Sequence, residues 1–212
     1  DEFLYAAEDA RLDILTSFAE GFARKVARGL DLMAFHGVNP RTGSASSVIG
    51  TNHFDSKVTQ TVTIQGEDKP DDNIEAAVAL VQGSEREVNG LVLAPVFKSE
   101  LAKQKTADGA KLYPQLAWGS NPGEINGLRV ESNTTLSANS SQDRALVGDF
   151  INAFRWGYAK EIPVEVIKYG NPDNDPTLGD LKGHNQVYLR AEAYIGWGIL
   201  DPAAFAFVKV GA

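Results

Sequence analysis

Residues Tyr5–Ala34 read YAAEDARLDILTSFAEGFARKVARGLDLMA, and their periodicity decides the architecture. Leu15, Phe18, Phe22, Val26, Leu30 and Met33 recur every three or four residues, so they share one face of a helix, while Asp13, Ser17, Glu20, Arg24, Lys25 and Arg28 fall elsewhere. Roughly 28 residues at about 1.5 Å each make a helix on the order of 40 Å long, as long as a small domain is wide. Its apolar side needs a cover of matching length. Gly21 and Gly29 each cost about 1 kcal/mol relative to Ala inside such a pattern; simple tolerance is the preferred reading, and close backbone approach at those turns is the alternative. Gly37, Asn39-Pro40 and Gly43 end the helix.

The best cover lies at the far end of the chain. From Gln186 to Ile195, the residues Val187, Leu189, Ala191, Ala193 and Ile195 alternate with Gln186, Tyr188, Arg190, Glu192 and Tyr194, as in a strand with one apolar face. Packing this face on the helix stripe joins the two ends of the chain, with the middle inserted between them. The expected fold class is α+β with a discontinuous domain. The polar, proline-bearing run Gly66–Asp71 marks the first boundary.

Between the ends, helical and strand patterns follow one another. Lys57–Gln65 and Leu128–Glu131 alternate as strands do, as do Ala145–Phe150 and Ile162–Tyr169. Asp72 and Glu75 have capping-box spacing before a helix from Ile74 to about Gln82. Leu91-Val92-Leu93 reads as a buried strand leading to a helix over Val96–Lys105, with Pro95 at its first turn. Ser132–Asp143 is the most polar stretch and is expected to be an exposed, mobile loop.

Composition excludes several classes of function. The 212 residues are 43% hydrophobic and 23% charged, the balance of a folded globular chain rather than a disordered one. No apolar run approaches the roughly 20 residues of a membrane span, and no secretory start is present. The absence of Cys rules out disulfides and thiolate chemistry and fits a reducing cytoplasm. A net charge of −8 argues against a broad phosphate-binding face, so nucleic acid is at most a non-specific partner.

No residue qualifies as catalytic, cofactor-binding or metal-ligating. His36, His53 and His184 lie far apart in no zinc-type spacing, and are read as satisfied surface or loop histidines. Asp173-Asn174-Asp175 begins like a calcium loop, but Leu178 stands where that loop needs Gly and His184 where it needs Glu. Nucleophile elbows, phosphate-cradling loops and dinucleotide fingerprints are absent. Asp71-Asp72 belongs to a capping segment, Gly196-Trp197-Gly198 reads as packing or a bulge, and the acceptor triplets at Asn133 and Asn139 read as chance in a polar loop.

A series of short motifs, taken in order, resembles the major capsid proteins of tailed bacteriophages, the Hong Kong 97 type of shell fold. It runs from Leu32-Met33-Ala34-Phe35-His36-Gly37 through Asn89-Gly90-Leu91-Val92-Leu93-Ala94-Pro95 and Asp108-Gly109 with Tyr113-Pro114. Then come Asn126-Gly127-Leu128-Arg129-Val130, Val147-Gly148-Asp149-Phe150, Asn185–Glu192 and Asp201-Pro202-Ala203-Ala204-Phe205. The resemblance implies a peripheral domain with a spine helix packed on a β-sheet (1–66 and 166–212) and an inserted mixed α/β axial domain (67–165). It also implies a structural, non-enzymatic protein of a phage or prophage head, without cofactors, that assembles with itself through pentamers and hexamers. Scaffold, portal and decoration proteins are the further partners it implies; membranes are not, and the place of action is the virion after synthesis in the host cytoplasm.

An encapsulin-like compartment shell and a cytoplasmic enzyme or ligand-binding domain are the alternatives. The family's N-terminal arm and extended loop precede the spine helix and do not occur in these residues, so no crosslinking residue carries over. Asp1 without an initiating Met points to sequence upstream, and this stretch alone is expected to be a monomer or small oligomer.

Overall fold

The computed structural model describes residues 14–66, 68–116, 123–138, 141–172, 174, 176, 177 and 179–211. The amphipathic pattern forms helix α1, Ile14–His36; residues 5–13 of the expected helix lie outside the described set. Gly37 stops it with φ +66°, its N–H donating to the Met33 carbonyl at 3.0 Å. A side chain at 37 would run into the His53 ring, whose Nε2 lies 2.7 Å from the Cβ position. Of the two helix glycines, Gly29 does sit against another segment, with the Pro40 ring 3.2 Å from where a Cβ would stand, while Gly21 faces open space.

The helix is buried at its end rather than along its stripe. Phe35, His36 and Val38 are buried, Phe22 and Val26 are half-buried, and Phe18 is 42% exposed. The strand expected to cover it is β7, Tyr188–Ile199, which pairs with β6, Phe154–Ile167, in a two-stranded sheet. On β7, Leu189 and Ala191 are only half-buried and Ala193 is exposed. The seam inferred from periodicity is therefore not a closed core, and the helix joins the main core through its last turn instead.

That core is organised by a six-stranded sheet in the order β1 (Thr61–Ile64), β8 (Phe205–Val210), β5 (Asp143–Gly148), β2 (Gly90–Leu93), β4 (Leu128–Ser132), β3 (Gly123–Ile125). Pairs β1–β8 and β2–β4 are parallel; β8–β5, β5–β2 and β4–β3 are antiparallel. Alternation on the central strands sends Ala145, Val147, Ala206 and Val208 into a cluster with Ala77 and Val81 of helix α3 (Pro70–Gly83) and Phe97 and Leu101 of helix α4 (Pro95–Lys103). The intervening Leu146, Phe205 and Phe207 enter a second cluster with Phe35, with Phe54 of the short helix α2 (Phe54–Lys57) and with Leu136. Both faces of β8 and β5 are thus covered, and their sequences read as nearly unbroken apolar runs.

Three local expectations change. Helix α3 spans Pro70–Gly83, with Pro70 in its first turn and Lys69 as N-cap without a side-chain cap bond, so Asp72 lies inside the first turn and the capping box does not form. Strand β1 is shorter than the expected 57–65, because Phe54–Lys57 turns as α2 to bury Phe54. The described residues of Ser132–Asp143 do not form an exposed loop: Thr135, Leu136 and Asp143 are 1%, 0% and 1% exposed. One leucine among eleven small or polar neighbours is enough to pin the segment when it reaches the sheet.

By its contacts the chain divides into residues 1–27 with 156–196 and residues 28–155 with 197–212. The first unit holds most of α1 and of the β6–β7 ribbon. The second holds the six-stranded sheet, which also runs across the boundary placed at residue 66, because β1 hydrogen-bonds to β8 and β8 to β5.

Candidate functional site

The concentration of polar chemistry lies beside the phenylalanine cluster of the second unit. Helix α1 ends on His36, whose Nδ1 meets Asp55 Oδ2 of α2 at 2.7 Å and whose Nε2 meets the Thr135 carbonyl at 2.8 Å. One turn earlier, Asp31 accepts from Asn133 Nδ2 at 2.8 Å and from the Thr135 hydroxyl at 3.4 Å. Asn133 Oδ1 in turn receives the Thr135 backbone N–H at 2.8 Å, a local turn that presents the Thr135 carbonyl to the ring. Below them, sheet register places Asp143 of β5 opposite Lys209 of β8, with Lys209 Nζ 2.9 Å from Asp143 Oδ1 and 3.6 Å from Asp55 Oδ1. The same ammonium lies 4.2 Å from the centre of the Phe207 ring.

Both nitrogens of His36 face acceptors, so the doubly protonated ring satisfies the site best. Burial works against that charge, but the hydrogen bonds to Asp55 and Thr135 and the carboxylates of Asp55 and Asp143 outweigh it and raise the His36 pKa. Burial also pushes Asp55 upward; its bond to His36 and the His36 and Lys209 charges hold it below the usual carboxylate range. For Asp143, burial wins over Ser141 and Lys209, with the Asp55 charge adding to it, and its carboxyl is raised. Asp31 is raised by burial despite Asn133 and Thr135.

One imidazole and two carboxylates within 4.8 Å are also a donor set for a divalent cation. Here Lys209 supplies the positive charge to both carboxylates, and each imidazole nitrogen already has a partner. The arrangement is an ion-pair network that joins one helix end, one short helix, one loop and two strands. Its chemistry is that of attachment and proton binding.

Sequence reading treats His36 as a surface or loop residue, yet it is 8% exposed and paired. His53 packs by its ring against Gly37, and His184 sits exposed on a single turn, Lys182–His184, in the other unit. Trp197 and Asn52 exchange two bonds of 3.0 Å, indole to carbonyl and amide to carbonyl, so Gly196-Trp197-Gly198 is a packing device. Asn133 is tied to Asp31; Asn139 and the calcium-loop positions Asp173, Asp175 and Leu178 lie outside the described residues. A cavity of about 340 Å³ lies between α3 and the sheet, lined by Ile74, Val78, Leu91 and Leu128, with Asp71 accepting from Gln104 and Tyr113 at its edge.

The model of the phage capsid family matches residues 5–210. A solved structure from Mycobacterium phage Ogopogo is 35% identical with a TM-score of 0.86, covering 100% of this chain and 72% of that one. One from Gordonia phage Cozz is 25% identical with a TM-score of 0.80, covering 100% and 67%. The capsid of an empty GTA particle shares the fold at 22% identity and a TM-score of 0.61, covering 94% and 67%. No curated protein matches the chain.

Proposed function

Because the chain belongs to the phage capsid family, we propose that its copies form pentamers and hexamers that close into the shell of a phage or prophage head. The protein is a structural component of that head, with a Hong Kong 97-like fold, and it assembles with further copies of itself. The observation that carries the reading is the 35% identity over the entire chain at a TM-score of 0.86, since it covers both units and not the sheet alone.

The finer assignments follow the same premise. The unit of residues 28–155 and 197–212 is the axial part and the unit with 1–27 and 156–196 the peripheral part, a revision of the boundaries at 66 and 165. Synthesis is in the host cytoplasm, and scaffold, portal and decoration proteins are the partners during assembly. Enclosed DNA is met without sequence recognition, in keeping with the net charge of −8. To test the reading, the full-length gene product is expressed in bacteria and fractionated on a density gradient. Fast-sedimenting particles that appear as closed shells by negative-stain electron microscopy support it; a product found only as monomers and small oligomers, with scaffold co-expressed, refutes it.

A further inference from the structure

The clustered groups around His36 do more than fill space. The ring has two acceptors, Asp55 and the Thr135 carbonyl, and no third hydrogen-bond partner among the described residues. When it loses a proton, one of the two contacts becomes a lone pair facing a lone pair, whichever tautomer remains. Keeping Nε2–H sets Nδ1 against the Asp55 carboxylate; keeping Nδ1–H leaves the buried Thr135 carbonyl without its donor. We propose that His36 is a protonation-operated clasp, which ties the last turn of the long helix to the 133–136 loop and to α2 when both ring nitrogens carry a proton, and releases one of them when a proton is lost.

All charged groups around the ring bear on the direction. Asp55 faces it from α2, Asp143 from β5, and Lys209 from β8 through both carboxylates; Asp31 grips the other side of the loop, and the His53 ring packs on the adjoining Gly37. With His36 charged, two cations stand against Asp55 and Asp143; without that charge, both carboxylates share Lys209 alone. Burial opposes the charge but the carboxylates and the carbonyl prevail, so the folded value lies above the ordinary value of about 6.5. The attachment is therefore complete below that value and is lost as pH rises through the folded one. Every subunit of a shell carries one such joint, so raising the pH through the folded value loosens the same place in each copy.

Hydrogen exchange read by mass spectrometry tests this on the full-length protein, assembled or not. After correction for intrinsic rates, protection of the peptide spanning 133–138 is expected to fall by about tenfold per pH unit above the His36 transition, while a β8 peptide over 205–210 keeps its protection. His36→Gln removes the titrating group and flattens this profile. Asp55→Asn, a change at the partly exposed partner, moves the loss to lower pH and serves if the first variant does not fold. Protection that is independent of pH in the wild type both at 133–138 and in a peptide over α2 (54–58), or a profile that Asp55→Asn leaves in place, overturns the proposal.

Discussion

Gly148 of β5 stands directly opposite Phe205 of β8, and a Cβ built on it would overlap both the Phe205 ring and the Ala204 carbonyl oxygen. The ring is fully buried against Phe54 at 5.0 Å and Phe150 at 5.2 Å between centroids, so it has nowhere to move. Gly148→Ala is expected to cost about 1 to 3 kcal/mol through overpacking at the sheet centre. Urea denaturation measures it; a loss below about 0.5 kcal/mol, the range of ordinary surface changes, would mean that the strands part easily.

Leu136 decides whether the 132–143 stretch is structure or surface. Its side chain is 0% exposed in the cluster with Phe205 and Phe207, and Leu136→Ala is expected to remove about 2 to 5 kcal/mol. Val48, at 95% exposed, is the internal reference, with Val48→Ala staying within about 0.5 kcal/mol. Equal stability of the two variants would restore the exposed-loop reading.

Asp149 gathers the corner after β5. It accepts the Asn152 N–H at 2.9 Å, the Asn152 amide at 3.0 Å and the Asn89 amide, while Asn89 Oδ1 takes the Phe150 N–H at 2.9 Å. Burial raises its carboxyl, but these donors together hold it below the usual range. A depressed folded value stabilises above the unfolded value of about 3.9 and is lost as pH falls through the folded one. Asp149→Asn is therefore expected to cost about 1 to 3 kcal/mol near neutrality and to reduce the pH dependence of stability below pH 4. Thermal melts between pH 2.5 and 7 show both effects; an unchanged acid limb would assign it to other carboxylates.

Much of the fold is legible because its signals are local. Gly37 as the helix stop and Pro95 at the start of α4 each act on their own neighbours, and the structure keeps both. Strand β8 is not legible by alternation, since Phe205-Ala206-Phe207-Val208 is buried on both faces and shows no polar beat. The reverse error occurs at β7, whose clean alternation suggests a buried face that the two-stranded ribbon does not provide. The His36 network is invisible for another reason. Residues 36, 55, 135, 143 and 209 share no spacing, and only the register that sets Asp143 against Lys209 brings them together.

The central claim is that this fold, repeated, is the wall of a phage head. A cryo-electron microscopy reconstruction of particles formed by the full-length protein tests it most directly. The account predicts a closed shell in which every subunit shows helix α1, the six-stranded sheet and the β6–β7 ribbon, arranged in pentamers and hexamers. Particles whose walls do not accommodate this fold, or preparations that never assemble with scaffold present, would contradict it.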